Sequence, residues 1–281
     1  MNIQLFGKDD KNIMELYTTE TILWSLGLTL VAGLATGAGS VIAFFFKRTN
    51  TKFLSCALGF SAGMMVYISL VELLAEAHAH LGEVYGSRSG GLATTGFFFG
   101  GMLLAMLIDK LIPGGENPHE VRGVEEMDSP KHKDKMLRGS ILFALALAIH
   151  NFPEGMAVFM AGLLNPETGI SIAIAVAIHN IPEGITVSVP MYHATGSRKK
   201  AFTYSFLSGL AEPAGALIAW LLLMPFLTEA VMMFTFAAVA GIMVYIAFDE
   251  LLPLSEEYGE HHIAIAGVIG GMLVMALTLV L

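Results

Sequence analysis

Eight stretches of this chain are each long and apolar enough to cross a lipid bilayer. A membrane-spanning helix needs about 20 mostly apolar residues in succession, and this requirement constrains the fold more than any other feature of the sequence. The stretches lie at about residues 20–46, 53–77, 92–112, 137–164, 168–191, 201–224, 228–253 and 262–281. The sequence therefore predicts an all-α membrane protein with eight transmembrane helices, located in the cell membrane as a multi-pass protein.

The composition supports lipid as the solvent and narrows the choice of partners. Charged residues make up only 14% of the chain, whereas soluble domains contain roughly 25%. The formal net charge of −9 argues against nucleic acid as a partner, because nucleic acid favours a basic surface. A lone Cys56 excludes both an intrachain disulfide and a metal site built from several cysteines.

The distribution of basic residues predicts the orientation in the membrane. Twelve of the 15 Lys and Arg residues lie in or beside the loops that follow the first, third and fifth predicted helices. Loops rich in Lys and Arg stay in the cytoplasm. Both termini are therefore expected on the extracytoplasmic side.

One connection is much longer than the others, at about residues 113–136. It contains three prolines, three glycines, two histidines and charges of both signs, a composition that cannot bury apolar surface. We expect a cytoplasmic loop there, within a single transmembrane domain that covers residues 1–281.

Two nearly identical hexapeptides lie in the fourth and fifth predicted helices. Both have the form His-Asn-x-Pro-Glu-Gly, at residues 150–155 and 179–184, and both are flanked by apolar residues. A third acid, Glu212, lies midway along the sixth predicted helix, followed by Pro213. Three carboxylates and two imidazoles are therefore expected at similar depth in three consecutive helices.

The spacing within each hexapeptide indicates a ligand set. Residues three or four apart share a helix face, so His150 and Glu154 stack with Asn151 beside them. The second hexapeptide repeats this pattern with His179, Asn180 and Glu183. Imidazole together with carboxylate suits Zn²⁺, Fe²⁺ or Mn²⁺, whereas Ca²⁺ and Mg²⁺ favour oxygen ligands alone.

A proline lies beside each of these acids. Pro153, Pro182 and Pro213 lack an amide hydrogen and clash with the carbonyl four residues earlier. We therefore expect a bend in each helix next to the acid, as in transporters whose irregular backbone lines a polar cavity.

The energetic cost of these acids favours a function. One acid at a helix centre costs roughly 2.5–3.5 kcal/mol on insertion scales, so three cost about 8–10 kcal/mol if they are ionised. A divalent cation offsets this cost directly, and proton uptake is the other route. The alternative, that these groups only link helices by hydrogen bonds, does not explain two copies of one hexapeptide.

The two hexapeptides and the Ala-Glu-Pro segment at 211–213 resemble the signature of the ZIP (Zrt/Irt-like) family of metal transporters. Within that family they are most similar to the bacterial zinc-uptake branch. Segments 61–65 and 69–72 in the second helix, and 248–253 in the seventh, resemble the family as well. The likeness extends over all eight predicted helices.

The resemblance implies a binuclear metal centre at mid-membrane depth. One ion would be held by His150, Glu154, His179 and Glu183, with Met65 as a sulfur ligand and Met64 as its rival. The other ion would be held by Asn151, Asn180 and Glu212, with Glu154 and Glu183 bridging the two.

The same resemblance implies how the transporter is built. Helices 1–3 and 6–8 would form inverted repeats around helices 4–5, moving as a unit against that pair, in a homodimer. Zinc would enter the cytoplasm by alternating access. Fe²⁺, Mn²⁺, Co²⁺ and Cd²⁺ are further candidate substrates, and no cofactor is expected.

Two other functions fit part of the pattern. An intramembrane metal-dependent hydrolase would use bound metal to activate water, with Glu154 as a general base, but the sequence has no His-Glu-x-x-His motif. A transporter of an organic substrate would use the acids as proton relays, but no Arg lies within the spans to bind an organic anion.

Three further groups of polar residues lie near the ends of the predicted helices. Glu72, Glu76, His78 and His80 form a candidate entry funnel or, alternatively, a solvated helix end. Asp109, Asp249 and Glu250 form a candidate exit path. His261 and His262 are weaker candidates for metal binding, because adjacent residues point apart on a helix.

Overall fold

A computed structural model of the chain describes residues 18–43, 51–111, 130–223, 226, 228–258 and 260–280. Within these residues the structure is helical throughout. The α-helices are α1 (Thr19–Ala43), α2 (Thr51–Ile68), α3 (Leu74–Tyr85), α4 (Ser87–Leu111), α5 (Pro130–Leu164), α6 (Pro166–Thr195), α7 (Arg198–Gly209), α8 (Ala211–Ile218), α9 (Glu229–Ile246), α10 (Leu252–Tyr258) and α11 (His261–Val280). Three π-helical segments, Ser69–Leu73, Ala219–Leu223 and Ala247–Leu251, continue α2, α8 and α9.

Eight membrane spans result, as the sequence predicts. They are Thr19–Val41, Ser55–Tyr85, Ser87–Lys110, Leu147–Leu164, Pro166–Val189, Arg198–Leu222, Glu229–Glu256 and His261–Val280. The second span runs through α2, a π-helical segment and α3, and it ends later than the sequence indicates. Leu164 and Pro166 are separated only by Asn165, so α5 and α6 form a tight antiparallel hairpin.

The start of α5 differs from the sequence prediction. The helix begins at Pro130, so residues 130–136 of the predicted loop are helical. Proline is favoured at the first position of a helix, where its missing amide hydrogen is not needed. The rest of the predicted loop, up to residue 129, lies outside the described residues.

The spans sort into two groups by their packing. The first group contains α1, α5, α6, α7 and α8, in which α1 packs along α6 and α5 packs against α6 and α8. The second group contains α2, α3, α4, α9, α10 and α11, in which α2 packs along α11 and α4 along α9. Contacts between the groups are fewer, and they are made chiefly by α2 and α11 against α6 and by α9 against α5. Helices 4 and 5 therefore pack with helices 1 and 6, rather than standing apart from both predicted repeats.

The second and seventh spans share both structure and sequence. Each consists of an 18-residue α-helix, a five-residue π-helical segment and a further α-helix. Residues 63–74 and 241–252 are identical at eight of twelve positions, with the form Gly-x-Met-Val-Tyr-Ile-x-x-x-Glu-Leu-Leu. Gly63 packs on the backbone of α11, and Gly241 packs on the backbone of α4. This correspondence supports the predicted inverted repeat, which pairs the second span with the seventh and the third with the eighth.

Candidate metal centre

Seven polar side chains are buried together in the first group of helices. Each has a relative exposure between 0 and 2%. They are His150, Asn151 and Glu154 of α5, His179, Asn180 and Glu183 of α6, and Glu212 of α8. All seven were predicted from the sequence as ligands, and the structure brings them to one region.

The hairpin between α5 and α6 sets their depth. Asn165 caps α6, because its side-chain oxygen accepts hydrogen bonds from the amides of Glu167 at 2.8 Å and Thr168 at 3.3 Å. His150 and His179 lie almost equally far along the chain from this turn, about 20 Å at 1.5 Å per residue. The two imidazoles therefore meet at the same level of the hairpin.

The histidines and glutamates interact across the two helices. His179 Nε2 lies 2.7 Å from Glu154 Oε1, and His150 Nε2 lies 3.9 Å from Glu183 Oε1. Within α5, His150 Nε2 lies 3.7 Å from Glu154 Oε2. The four side chains thus form one connected cluster, in which His179 pairs with the glutamate of the other hexapeptide and His150 lies between both glutamates.

The asparagines connect this cluster to Glu212 and to neighbouring helices. Asn180 Nδ2 donates to Glu212 Oε1 and, at 2.9 Å, to the carbonyl oxygen of Ala32 in α1. Asn151 Nδ2 donates at 3.3 Å to the carbonyl oxygen of Ser208 in α7. The sequence did not predict these two carbonyl acceptors, because every residue type has a main-chain carbonyl.

Several buried oxygens of the cluster lack a hydrogen-bond partner. They are both carboxylate oxygens of Glu183, Glu212 Oε2, and the amide oxygens of Asn151 and Asn180. Most buried polar atoms in proteins have such a partner, and a buried unpaired one costs about 1–3 kcal/mol or more. These oxygens are therefore available to a cation.

The side chains are close, but they do not converge on one point. Among the described residues, no three His, Cys, Asp or Glu side chains form a ready-made metal-binding group. Ligand atoms on a tetrahedral zinc ion with bonds of about 2.1 Å lie about 3.4 Å apart. The distances of 2.7, 3.7 and 3.9 Å bracket that value, so side-chain shifts of about half an ångström are needed to accept an ion.

Met65 lies on the face of α2 that is turned toward this cluster. Ser61, one turn earlier in α2, donates through its hydroxyl to the carbonyl oxygen of His179 at 3.4 Å, and residues four apart share a helix face. Met64 is equally buried, but its backbone lies against Gly271 of α11. Met64 and Met65 lie three and four residues after Ser61, so both share its face of α2, and both stay candidates for the methionine beside the cluster.

The glycines of the hexapeptides permit close packing around the cluster. A Cβ atom at Gly155 would collide with the backbone of Glu212, and one at Gly184 would collide with the carbonyl oxygen of Thr36 in α1. Small residues allow membrane helices to approach closely. These contacts hold α8 against α5, and α1 against α6, beside the polar side chains.

The three prolines do not act alike. Both α5 and α6 continue as helices through Pro153 and Pro182. Only the sixth span is interrupted, by a turn at Leu210 three residues before Pro213. The helix is therefore broken beside Glu212, whereas the hexapeptides lie in continuous helix, and the expected bend at each proline stays a prediction.

The other predicted polar groups lie at both ends of the second group of helices. His80 Nε2 lies 3.1 Å from Glu229 Oε2 of α9, whereas His78 lies against Gly91 of α4. Glu250 is buried, with Asp109 and Asp249 as acidic neighbours. His261 Nδ1 lies 2.7 Å from Glu256 Oε1, and both side chains are exposed.

Comparison with known proteins agrees with this architecture. A sequence model described as ZIP Zinc transporter matches residues 114–279, more than half of the chain. The zinc transporter ZupT of Streptococcus mutans serotype c is 58% identical over 254 residues, covering 90% of this chain and 96% of that protein. The zinc transporters ZupT of Lysinibacillus sphaericus and Akkermansia muciniphila are each 59% identical, covering 92% and 90% of this chain and 98% and 95% of theirs. The chain therefore belongs to the ZIP zinc transporter family.

Proposed function

We propose that this chain carries zinc ions into the cytoplasm through the polar cluster of α5, α6 and α8. The relatives described above are named zinc transporters, and the eight spans make the chain a multi-pass protein of the plasma membrane. The observation that carries the proposal is the burial of three glutamates beside two histidines, with oxygens of Glu183 and Glu212 that have no hydrogen-bond partner.

The ligand types suit zinc, but they do not determine its affinity relative to other divalent metals. Imidazole nitrogen and carboxylate oxygen bind most divalent transition metals, and affinities follow the same general order at most such sites. Fe²⁺, Mn²⁺, Co²⁺ and Cd²⁺ therefore remain candidate substrates beside Zn²⁺.

The cluster contains enough ligands for two ions. In the first site, His150, Glu154, His179 and Glu183 bind one ion, with Met65 supplying sulfur from α2. This assignment is supported by the crosswise contacts of 2.7–3.9 Å and by the orientation of α2.

In the second site, Asn151, Asn180 and Glu212 bind another ion, and Glu154 and Glu183 bridge to the first. The direct contact between Asn180 and Glu212 supports their grouping. Both asparagine oxygens remain available, because each amide nitrogen already donates to a main-chain carbonyl.

The negative charge of the glutamates favours the binding of a divalent cation in the cluster. Ionised glutamates at mid-membrane are costly, and a bound divalent ion neutralises two of the three charges. Metal ligands must lose their protons to bind, so acidification is expected to weaken zinc binding.

Transport through a buried site requires access from each side in turn. The weaker packing between the two groups of helices supports a movement of one group against the other. In the predicted orientation, zinc enters from the extracytoplasmic side and leaves on the cytoplasmic side. Assembly as a homodimer stays a prediction.

Zinc uptake into proteoliposomes tests the proposal directly. Glu154→Gln and Glu183→Gln keep the side-chain volume and remove the charge, and each is expected to reduce uptake to about a tenth of the wild-type rate or less, because ligand loss weakens metal binding at least tenfold. Glu167→Gln is the matched control, since Glu167 lies exposed in the first turn of α6. Normal flux in either cluster variant contradicts the ligand assignment.

The same assay separates transport from the hydrolase alternative, because an enzyme would turn over its substrate without moving zinc across a sealed membrane. Glu212→Gln is expected to keep partial uptake, since it removes a ligand of the second ion only. An unchanged rate in this variant indicates a single-ion site.

A further inference from the structure

A second pair of zinc-type ligands lies at the far end of the second span. His80 of α3 and Glu229 of α9 approach within 3.1 Å, and their side chains are 29% and 32% exposed. Glu229 is the first residue of α9. The N-terminus of this helix is capped by Thr228, whose hydroxyl oxygen accepts a hydrogen bond from the amide of Val231 at 3.2 Å. The imidazole and carboxylate therefore come from two different spans, as in the central cluster.

His80 lies at the end of a line of ligand-type side chains along this span. Glu76 is four residues before His80, Glu72 is four before Glu76, and Met65 is seven before Glu72. Residues four apart share a face of an α-helix, so Glu76 and His80 lie on one face of α3, and Glu72 precedes them in the π-helical segment Ser69–Leu73. Met65 is buried, Glu72 is partly exposed, Glu76 is exposed and the His80 side chain is 29% exposed.

The line begins beside the first group of helices and ends within the second. The helix of Met65, α2, contacts α6, whereas α3, which carries Glu76 and His80, packs against α4 and α9 of its own group. The His80–Glu229 pair lies at the helix ends next to Tyr85 and Ser87, which face the extracytoplasmic side in the orientation predicted by the basic loops.

We propose that His80 and Glu229 form an outer zinc-binding site that loads the central cluster, with Glu76 and Glu72 as the carboxylates that follow inward. This proposal rests on the proposed function. The 3.1 Å separation of Nε2 and Oε2 is within a few tenths of an ångström of the ~3.4 Å expected for two ligands on tetrahedral zinc.

Two protein ligands with water in the remaining positions give a weak site. Weak binding suits a site that loads the central cluster, because a tightly bound zinc ion would dissociate too slowly to be passed inward. The absence of a third convergent ligand among the described residues is thus consistent with a site that exchanges its ion rapidly.

Uptake kinetics provide the first test. His80→Ala and Glu229→Gln are each expected to raise the KM for zinc roughly tenfold, the lower range for weakened metal binding, with a much smaller change in maximal rate. Glu83→Gln is the matched control, because it removes a charge from an exposed residue of the same helix. His80→Cys, which retains a zinc ligand, is expected to restore the wild-type KM, whereas a purely structural contact would not be rescued by a thiol.

Direct binding provides the second test and separates this proposal from the proposed function. In purified Glu154→Gln/Glu183→Gln protein, isothermal titration with zinc is expected to show a residual weak site that disappears when His80→Ala is added. A residual site that is unaffected by His80→Ala, or KM values equal to that of the control, overturns the outer site. If the wild-type protein moves no zinc, the proposed function fails, while this titration still decides whether the outer pair binds zinc.

Discussion

At the scale of single residues, the buried cluster combines polar atoms that have hydrogen-bond partners with polar atoms that do not. Asn180 shows the distinction most clearly, because its nitrogen donates to Glu212 and to the Ala32 carbonyl while its oxygen has no partner. The amide thereby holds one carboxylate of the cluster in place and fixes the direction in which its own oxygen points.

Replacing this amide by an acid should make the protein more dependent on zinc. In Asn180→Asp, an ionised side chain cannot donate to Glu212 or Ala32, and two carboxylates face each other. Zinc-free protein is expected to lose about 1–3 kcal/mol of stability, and saturating zinc is expected to raise its melting temperature more than that of the wild type. Melting curves in detergent, with and without zinc, measure both effects.

Asn165→Asp is the control for that experiment, because aspartate caps a helix about as well as asparagine and Asn165 lies in the α5–α6 turn. Equal zinc-induced shifts in the two variants would falsify the placement of Asn180 at a metal site.

The sequence predicted the side chains of the cluster well, for a physical reason. Acids and imidazoles are so costly in a membrane core that their occurrence in apolar helices points to a function. Their main-chain partners, such as the Ala32 carbonyl, could not be predicted, since any residue provides one. His179 pairs with Glu154 of the neighbouring helix at 2.7 Å. This pairing could not be predicted from the sequence, because it depends on how α5 and α6 are arranged in space.

At the scale of helices, close packing depends on glycines whose roles the sequence alone could not distinguish. A Cβ atom at Gly184 would overlap the carbonyl oxygen of Thr36, whereas Gly96 and Gly100 of α4 have no atom within 4 Å of that position. All three glycines lie in apolar helices and look alike in the sequence.

Alanine substitutions at these positions should therefore have opposite effects. Gly184→Ala is expected to force α1 away from α6 and to lower the melting temperature by several degrees, because a fixed backbone atom must move. Gly96→Ala is expected to be neutral or to stabilise the protein by up to about 1 kcal/mol, since alanine is the better helix former. A similar melting temperature for both variants contradicts the packing of α1 on α6.

At the scale of the whole molecule, the contacts divide the spans into two bodies. Each of the glycine positions at which a Cβ would collide with another helix's backbone joins helices of the same group, within the described ranges. Tight contacts of this kind resist sliding, and their restriction to the interior of each group leaves the boundary between the groups as the place where movement costs least.

Cysteine labelling can test where the movement occurs. Ser61 of α2 and Ser205 of α7 are both fully buried, but Ser61 contacts the other group whereas Ser205 bonds to Thr36 and Gly184 of its own. In a Cys56→Ser background, Ser61→Cys is expected to react with a water-soluble maleimide during transport, and Ser205→Cys is expected to stay protected. Equal protection of both contradicts movement at this boundary.

The division into groups was not evident from the sequence, which led to a different grouping of helices. Eight apolar stretches determine how many spans there are, but they carry little information on which spans pack together. Which spans pack together depends on where small residues meet the backbone of another helix, as Gly63 does on α11 and Gly241 does on α4. These contacts can be identified only in the three-dimensional structure.

The matching π-helical segments of the second and seventh spans have one more consequence. Because the two spans cross the bilayer in opposite directions, the same dodecapeptide brings Glu72 toward one water phase and Glu250 toward the other. An ion travelling either way would then meet the same carboxylate, one helical turn past the same tyrosine and isoleucine. The two halves of such a route share this carboxylate but differ farther from the cluster, where Glu76 and His80 of the second span correspond to Leu254 and Tyr258 of the seventh.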